Sequence, residues 1–235
     1  EVVVQLAYVH PDTFEETLFR RRYTPDGLRS SFLAYVEELA EWLRADRRHR
    51  DDRNSSIRDL VFPFSDLRPG QADLVDAVAR HIDARDGEPM FVHAPTGIGK
   101  TMAVLYPAVK ALAGRTERIF YLAAKGTGKE AALAASDRLQ AEGGRIRTLV
   151  LTAKEKICFH PDEATGPSGE CLLDSCPFAK GYFDRNRGAI EESRSALRFD
   201  AAAIVELARR HRICPFELSL DLSMTVDLVI GDYNY

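Results

Sequence analysis

The sequence predicts an α/β protein in which a mostly parallel sheet is covered by helices on both faces. Two observations predict this class. From Phe62 onward, short apolar runs alternate with helical patterns, an order typical of parallel sheets. A glycine-rich turn at residues 94–101 then joins one apolar run to a helix. The chain of 235 residues is also long enough to bury a substantial core.

The predicted elements divide the chain into three parts. Residues 1–60 form an accessory segment, which opens with an apolar strand and closes in a run of mixed charge and a linker at 54–56. Residues 61–152 and 217–235 form a nucleotide-binding domain, and residues 153–216 are an insertion into it. Within that domain a helix opens at Gln71, another covers 129–140, and strands are expected at 90–93, 118–123, 146–151 and 226–230.

The turn Ala94-Pro95-Thr96-Gly97-Ile98-Gly99-Lys100-Thr101 has the pattern of a phosphate-binding loop. Gly97 and Gly99 allow the backbone to curl so that successive N–H groups surround phosphate oxygens, and the helix that follows adds its positive end. Lys100 is placed to neutralise β- and γ-phosphate charge, and the Thr101 hydroxyl to ligate Mg²⁺. The predicted nucleotide-binding residues are Pro95, Thr96, Gly97, Ile98, Gly99, Lys100 and Thr101, and the sequence predicts a P-loop NTPase.

All four cysteines, Cys158, Cys171, Cys176 and Cys214, lie in the insertion, separated by 12, 4 and 37 residues. Clustered cysteines in a reducing compartment favour a metal site over disulfides. Structural zinc sites usually use two close pairs of ligands, and a cluster held by four thiolates draws on more distant segments. The spacing alone leaves iron–sulfur and zinc both open.

Composition narrows the classes of function. A net charge of −4 argues against a uniformly basic nucleic-acid-binding protein, although it leaves room for a local basic groove. No apolar run approaches the roughly 18 residues of a membrane span, and the first residues lack the features of a signal peptide. A cytoplasmic protein without a membrane partner is expected.

The phosphate loop and the cysteine insertion together resemble the XPD-like helicases, the DinG-type iron–sulfur branch of superfamily 2. The resemblance covers about residues 62–235 and implies a RecA-like motor domain interrupted by a small, mainly helical iron–sulfur domain. It implies that Gln71 contacts the adenine of ATP and that Lys125 and Thr127 belong to the first DNA-contacting motif. It also implies that Cys158, Cys171, Cys176 and Cys214 hold a [4Fe-4S] cluster.

The same resemblance implies an ATP-dependent motor that moves 5′ to 3′ on single-stranded DNA and separates forked duplex, in DNA repair. Candidate DNA contacts are the cations and aromatic rings that such binding needs. They are Lys125, Thr127, Tyr182, Phe183 and Arg185. The family's second ATPase motif is absent, because no glutamate follows Asp232. We therefore expect part of a longer helicase, whose second motor domain is a partner, and no efficient hydrolysis by these residues alone.

Two other functions remain open at this point. One is a nucleotide-gated DNA-binding or scaffold module whose cysteines hold structural zinc. The other is a small-molecule kinase with a P-loop, which gives neither Gln71 nor the cysteine insertion a role. Residues 1–60 lie outside the resemblance. Some bacterial relatives carry a nuclease-like domain ahead of the helicase, and one expectation is that the opening strand is the tail of such a domain.

Overall fold

A computed structural model describes residues 1–84, 87–114, 117–160, 171 and 176–233 of the chain. The chain divides into two compact units, Glu1–Arg50 and Asp51–Tyr235. No helix in the described ranges is long and apolar enough to cross a membrane.

The first unit contains an antiparallel hairpin and the start of a long helix. Strands β1 (Val2–Val9) and β2 (Glu16–Tyr23) pair in register from Val2 opposite Tyr23 to Val9 opposite Glu16. Helix α1 (Pro25–Asp59) follows. Several apolar side chains on both elements are exposed, including Leu6 at 57% and Phe32 at 65%.

Helix α1 runs through the stretch that the sequence predicts to be a linker at 54–56. The charges of this stretch suit a helix, because Asp46 and Arg50 pair at 2.8 Å with the spacing of one helical turn. Further along, Arg53 and Ile57 are both buried. Their burial supplies the tertiary contact that holds this part of the chain helical, and composition alone gave no sign of it.

The second unit alternates helices and strands as predicted. The elements are α2 (Gln71–Ala84), α3 (Lys100–Ala111), β3 (Ile119–Ala123), α4 (Gly126–Ala141), β4 (Thr148–Val150), α5 (Lys154–Ile157), α6 (Tyr182–Ser193), β5 (Arg198–Phe199), α7 (Ala201–His211), α8 (Pro215–Ser223) and β6 (Leu228–Asp232).

The described residues of this unit form a four-stranded parallel sheet in the order β3-β6-β4-β5. Successive residues of a strand point to opposite faces, and β6 shows what each face contacts. Leu228 and Ile230 pack with residues of α3, α4 and the end of α1, whereas Val229 packs with residues of α6, α7 and α8. The predicted α/β class with both faces covered is thus confirmed, and the architecture is compatible with a RecA-like domain.

The strand predicted at 90–93 is wrong for the structure as described. These residues do not pair with any strand of the sheet, and Phe91 is 92% exposed. An apolar run forms a strand only where a neighbouring strand exchanges hydrogen bonds with it. Among the described residues, the strands of the sheet are β3, β6, β4 and β5, and residues 90–93 pair with none of them. The turn and helix that follow form without this strand.

The range 153–216, predicted to be an insertion into the nucleotide-binding domain, contributes strand β5 to the sheet. Strand β5 pairs with β4, and the aromatic ring of Phe199 is buried in the same cluster as Leu149. Helices α6, α7 and α8 pack over this face of the sheet. The cysteine-bearing region therefore shares one hydrophobic core with the strands that flank it.

Candidate nucleotide and thiol sites

The phosphate loop has the conformation that its glycines predict. Gly97 and Gly99 adopt φ values of 86° and 81°, in the left-handed region that favours glycine. Gly99 is the N-cap residue of α3, so Lys100 begins the helix directly after the loop. The Lys100 ammonium lies within the loop, where Nζ donates to the carbonyl oxygens of Ala94 at 3.0 Å and Pro95 at 2.7 Å.

Two side chains upstream of the loop fix its shape. Arg68 donates through Nη1 to the carbonyl of Gly97. Gln71 is 3% exposed, and its Nε2 donates to the carbonyl of Gly99 at 3.4 Å while its Oε1 accepts from the backbone N–H of Arg68 at 3.1 Å. The family resemblance implies that Gln71 contacts adenine; in the structure both ends of its amide group bond to backbone groups. Arg68 was missed, although it stands three residues before Gln71.

A cavity of about 470 Å³ adjoins the loop. Its walls come from the segment before α2, the start of α3 and the middle of α4. The Arg138 guanidinium carbon lies 4.9 Å from the centre of the Phe64 ring, which closes one side. The lining residues are Phe64, Asp66, Arg68, Gln71, Gly99, Thr101, Met102, Ala131, Ala134, Ala135 and Arg138. A largely apolar cavity beside a phosphate loop has the size and chemistry to take a nucleobase.

The predicted DNA-contacting residues Lys125 and Thr127 are both exposed at the carboxyl end of β3. Lys125 is the N-cap residue of α4, and Thr127 lies in its first turn. Next to them, Lys129 Nζ bonds to Asp232 Oδ2 at 2.8 Å, which joins α4 to the end of β6. Ligands of open α/β sheets bind at this edge, so the placement suits the predicted role.

The three predicted DNA contacts on α6 differ in exposure. Tyr182 is 5% exposed, and its hydroxyl donates to Asp221 Oδ2 at 2.7 Å. Burial, together with the Asp221 carboxylate, holds the pKa of Tyr182 well above its usual range. Phe183 is 83% exposed, so its ring is available for stacking. Arg185 donates to three backbone carbonyls, of Pro177, Lys180 and Arg212.

The segments that carry three of the predicted cysteine ligands meet in the structure. The Phe159 ring, one residue after Cys158, lies 4.5 Å from the Phe178 ring, two residues after Cys176. Cys176 and Cys214 are buried, and Cys158 and Cys171 are half-buried. No group of three or more ligating side chains at metal-binding distances occurs among the described residues, which leave out 161–170 and 172–175 on either side of Cys171.

Cys214 lies at the start of α8 as its N-cap residue. Burial raises the pKa of the Cys214 thiol, while bonds from the backbone of Phe216 and Glu217 act in the opposite direction. The Glu217 carboxylate adds to the increase. A cation bound at Cys214 would remove the cost of ionising this thiol, as metal coordination does for cysteine in general.

No family model matches this chain. Over 100 residues the chain is 26% identical to the human regulator of telomere elongation helicase 1, and it has the same identity to the orangutan (Pongo abelii) protein. The rat protein is 25% identical over 100 residues. In each case the match includes 39% of this chain and 8% of the relative. The chain is thus similar over part of its length to a helicase.

Proposed function

We propose that this chain belongs to an ATP-dependent DNA helicase of the XPD-like, DinG-type class, acting in the cytoplasm in DNA repair. The observation that carries the proposal is the phosphate loop clamped by Arg68 and Gln71 beside a base-sized cavity. A loop of this kind binds a nucleoside triphosphate through backbone N–H groups, with Mg²⁺ held at Thr101. The partial similarity to a helicase supports the choice among P-loop classes.

The nucleotide part of the proposal is tested by calorimetric titration of the chain with MgATP. We expect Lys100→Ala to raise the Kd by roughly ten- to a hundredfold, because a charge-assisted hydrogen bond to phosphate is worth about 1.5–3 kcal/mol. Lys156→Ala, which changes an exposed lysine on α5, is the matched control and should leave the Kd unchanged. Equal affinity of the wild type and the Lys100 variant would contradict a role for the loop in ATP binding.

The DNA part rests on the exposed residues at the carboxyl end of β3 and on Phe183. We propose that single-stranded DNA binds along Lys125 and Thr127. We also propose that this domain and a second motor domain together move the protein along the strand from 5′ to 3′. Lys125→Ala should weaken binding of a fluorescent single strand and reduce its salt dependence by about one phosphate contact. Binding that is unaffected by Lys125→Ala at every salt concentration would move the DNA path elsewhere.

We further propose that the four cysteines hold a [4Fe-4S] cluster. The donor set fits, because thiolates are the usual ligands of such clusters and the segments of Cys158 and Cys176 meet. When bound, the cluster would supply a rigid cross-link between these segments. Anaerobically purified protein should contain about four iron and four sulfide per chain. Zinc without iron would instead support a nucleotide-gated DNA-binding or scaffold module.

A further inference from the structure

Arg185 contacts the two cysteine segments that lie on either side of α6 and α7 in the chain. Its Nη2 donates to the carbonyls of Pro177 at 3.1 Å and Lys180 at 2.7 Å, one and four residues after Cys176. Its Nε donates to the carbonyl of Arg212 at 3.1 Å, two residues before Cys214. A single guanidinium therefore bridges the backbone next to Cys176 and the backbone next to Cys214.

The local backbone makes room for this bridge. Gly181, the N-cap residue of α6, has φ 68°, and a Cβ there would lie 3.1 Å from Arg185 Nη1. The turn that ends at Gly181 begins at Cys176, whose carbonyl accepts from the N–H of Lys180 at 2.9 Å. At the other segment, Arg212 has φ 54° as the C-cap residue of α7. The carbonyls to which Arg185 donates thus lie in tight turns next to the two cysteines.

We propose that Arg185 is a positioning residue for the thiol site: it ties the Cys176 turn to the Cys214 turn, so that both thiols can serve one bound cluster. This inference rests on the proposed function, in which the cysteines bind a cluster. The role depends on geometry more than on charge. A guanidinium presents several N–H groups in a fixed plane and can reach three carbonyls at once, whereas a lysine ammonium is a compact point charge on a flexible stem.

The third segment, that of Cys158, reaches the same place by aromatic contacts. Phe159 lies against Phe178, and the Arg209 guanidinium carbon lies 5.3 Å from the centre of the Phe159 ring. Arg185 does not take part in these contacts. Its loss is therefore expected to release the Cys176 and Cys214 turns from each other while Phe159 and Phe178 remain packed.

The test compares Arg185→Lys with Arg194→Lys in the same chain. Arg194 is the C-cap residue of α6, and its Nη1 lies 4.0 Å from Glu191 at the surface. Both variants keep the charge. Iron and sulfide are counted after anaerobic purification, and the rate of iron loss to a chelator is followed by visible absorbance. We expect Arg185→Lys to lose iron at least fivefold faster than wild type, and Arg194→Lys to match wild type.

Two further measurements separate the possible outcomes. Far-ultraviolet circular dichroism and the Kd for MgATP report whether the Arg185 variant is folded, and both should equal the wild-type values. A folded Arg185→Lys variant with wild-type iron content and wild-type iron loss would overturn the inference alone. A wild-type chain that purifies without iron would overturn the proposed cluster, and the inference with it. An Arg185→Lys variant that loses its far-ultraviolet helical signal would also contradict the inference, because Arg185 would then be needed for the fold as a whole.

Discussion

The side-chain amide of Gln71 occupies the space that a side chain at residue 99 would need, so the phosphate loop requires glycine at this position. A Cβ at Gly99 would lie 2.4 Å from Gln71 Nε2, and φ is 81° at this position. An L-residue in the left-handed region costs about 1–2 kcal/mol even without a clash. We therefore expect Gly99→Ala to lower the Tm and to raise the Kd for MgATP at least tenfold, measured by thermal unfolding and calorimetry.

The clash and the backbone strain can be separated. Gly143 has φ 100°, and a Cβ added there would meet no atom within 4 Å, so Gly143→Ala reports strain alone. Adding Gln71→Ala to Gly99→Ala should recover part of the lost stability, because it removes the atom that clashes. If the double variant were as unstable as the sum of the single variants, Gln71 would not be the residue that excludes a side chain at Gly99.

Tyr182 and Phe183 are neighbours with opposite environments, and this predicts opposite effects of substitution. Tyr182→Phe removes a bond to the Asp221 carboxylate and should lower the free energy of unfolding by about 1.5–3 kcal/mol without changing DNA affinity. Phe183→Ala removes an exposed ring and should weaken binding of single-stranded DNA, since stacking on one base is worth about 1–3 kcal/mol. Urea unfolding and fluorescence anisotropy check the two effects, and an unchanged DNA affinity in both variants would place the DNA away from this end of α6.

Helix α1 is joined to the amino end of β6 by a buried ion pair. Arg53 Nη1 lies 2.6 Å from Asp227 Oδ1, both side chains are 4% exposed, and Arg53 Nη2 donates to the carbonyl of Leu112. Asp227 also accepts from the backbone N–H of Arg147 at 2.8 Å. Removing one partner of a buried pair leaves an uncompensated charge. Arg53→Met should therefore lower the free energy of unfolding by about 3–5 kcal/mol, measured by urea unfolding.

The matched control for Arg53 is an exposed pair of similar length. Arg198 Nη1 lies 2.8 Å from Asp137 Oδ2, with the side chains 46% and 36% exposed. Arg198→Met should lower the free energy of unfolding by at most about 1 kcal/mol, because solvent screens exposed ion pairs. If Arg53→Met and Arg198→Met lowered the free energy of unfolding equally, burial of the Arg53 pair would add nothing to its effect on stability.

Helices α6 and α7 are joined at their surface by Glu192. His211 Nε2 and Arg210 Nη2 each lie 2.6 Å from a carboxylate oxygen of Glu192. His211 and then Arg210 hold the pKa of Glu192 below its ordinary value of 4.5. A lowered carboxylate pKa stabilises the folded state above the unfolded pKa, and the contribution is lost as pH falls through the folded value.

Glu192→Gln should therefore lower the Tm at pH 7 relative to wild type, and the difference should shrink as the pH falls below 4.5. Glu130→Gln, at an exposed position on α4, serves as the control for loss of one negative charge. Thermal unfolding across this range of pH checks the prediction. A difference that grows toward acid pH would show that Glu192 acts through something other than its ionised form.

Across the whole molecule, the elements that the sequence predicts correctly are those that depend on residues close together in the chain. The glycine spacing predicts the turn of the phosphate loop, and apolar periodicity predicts β3, β4, β6 and α2. Partners distant in sequence were not predictable. The pairing of Arg53 with Asp227 and the bonds of Arg185 to Arg212 join residues that only folding brings together. The wrong prediction of a strand at 90–93 has the same cause, because strand formation depends on a neighbouring strand.

Helix α4 lies along both candidate sites at once. Its start presents Lys125 and Thr127 at the sheet edge, and its later turns supply Ala131, Ala134 and Arg138 to the cavity beside the phosphate loop. A helix of 16 residues is a stiff rod of about 24 Å, so displacement of one end moves the other. Thermodynamic reciprocity then sets a condition: the factor by which nucleotide alters affinity for DNA equals the factor by which DNA alters affinity for nucleotide.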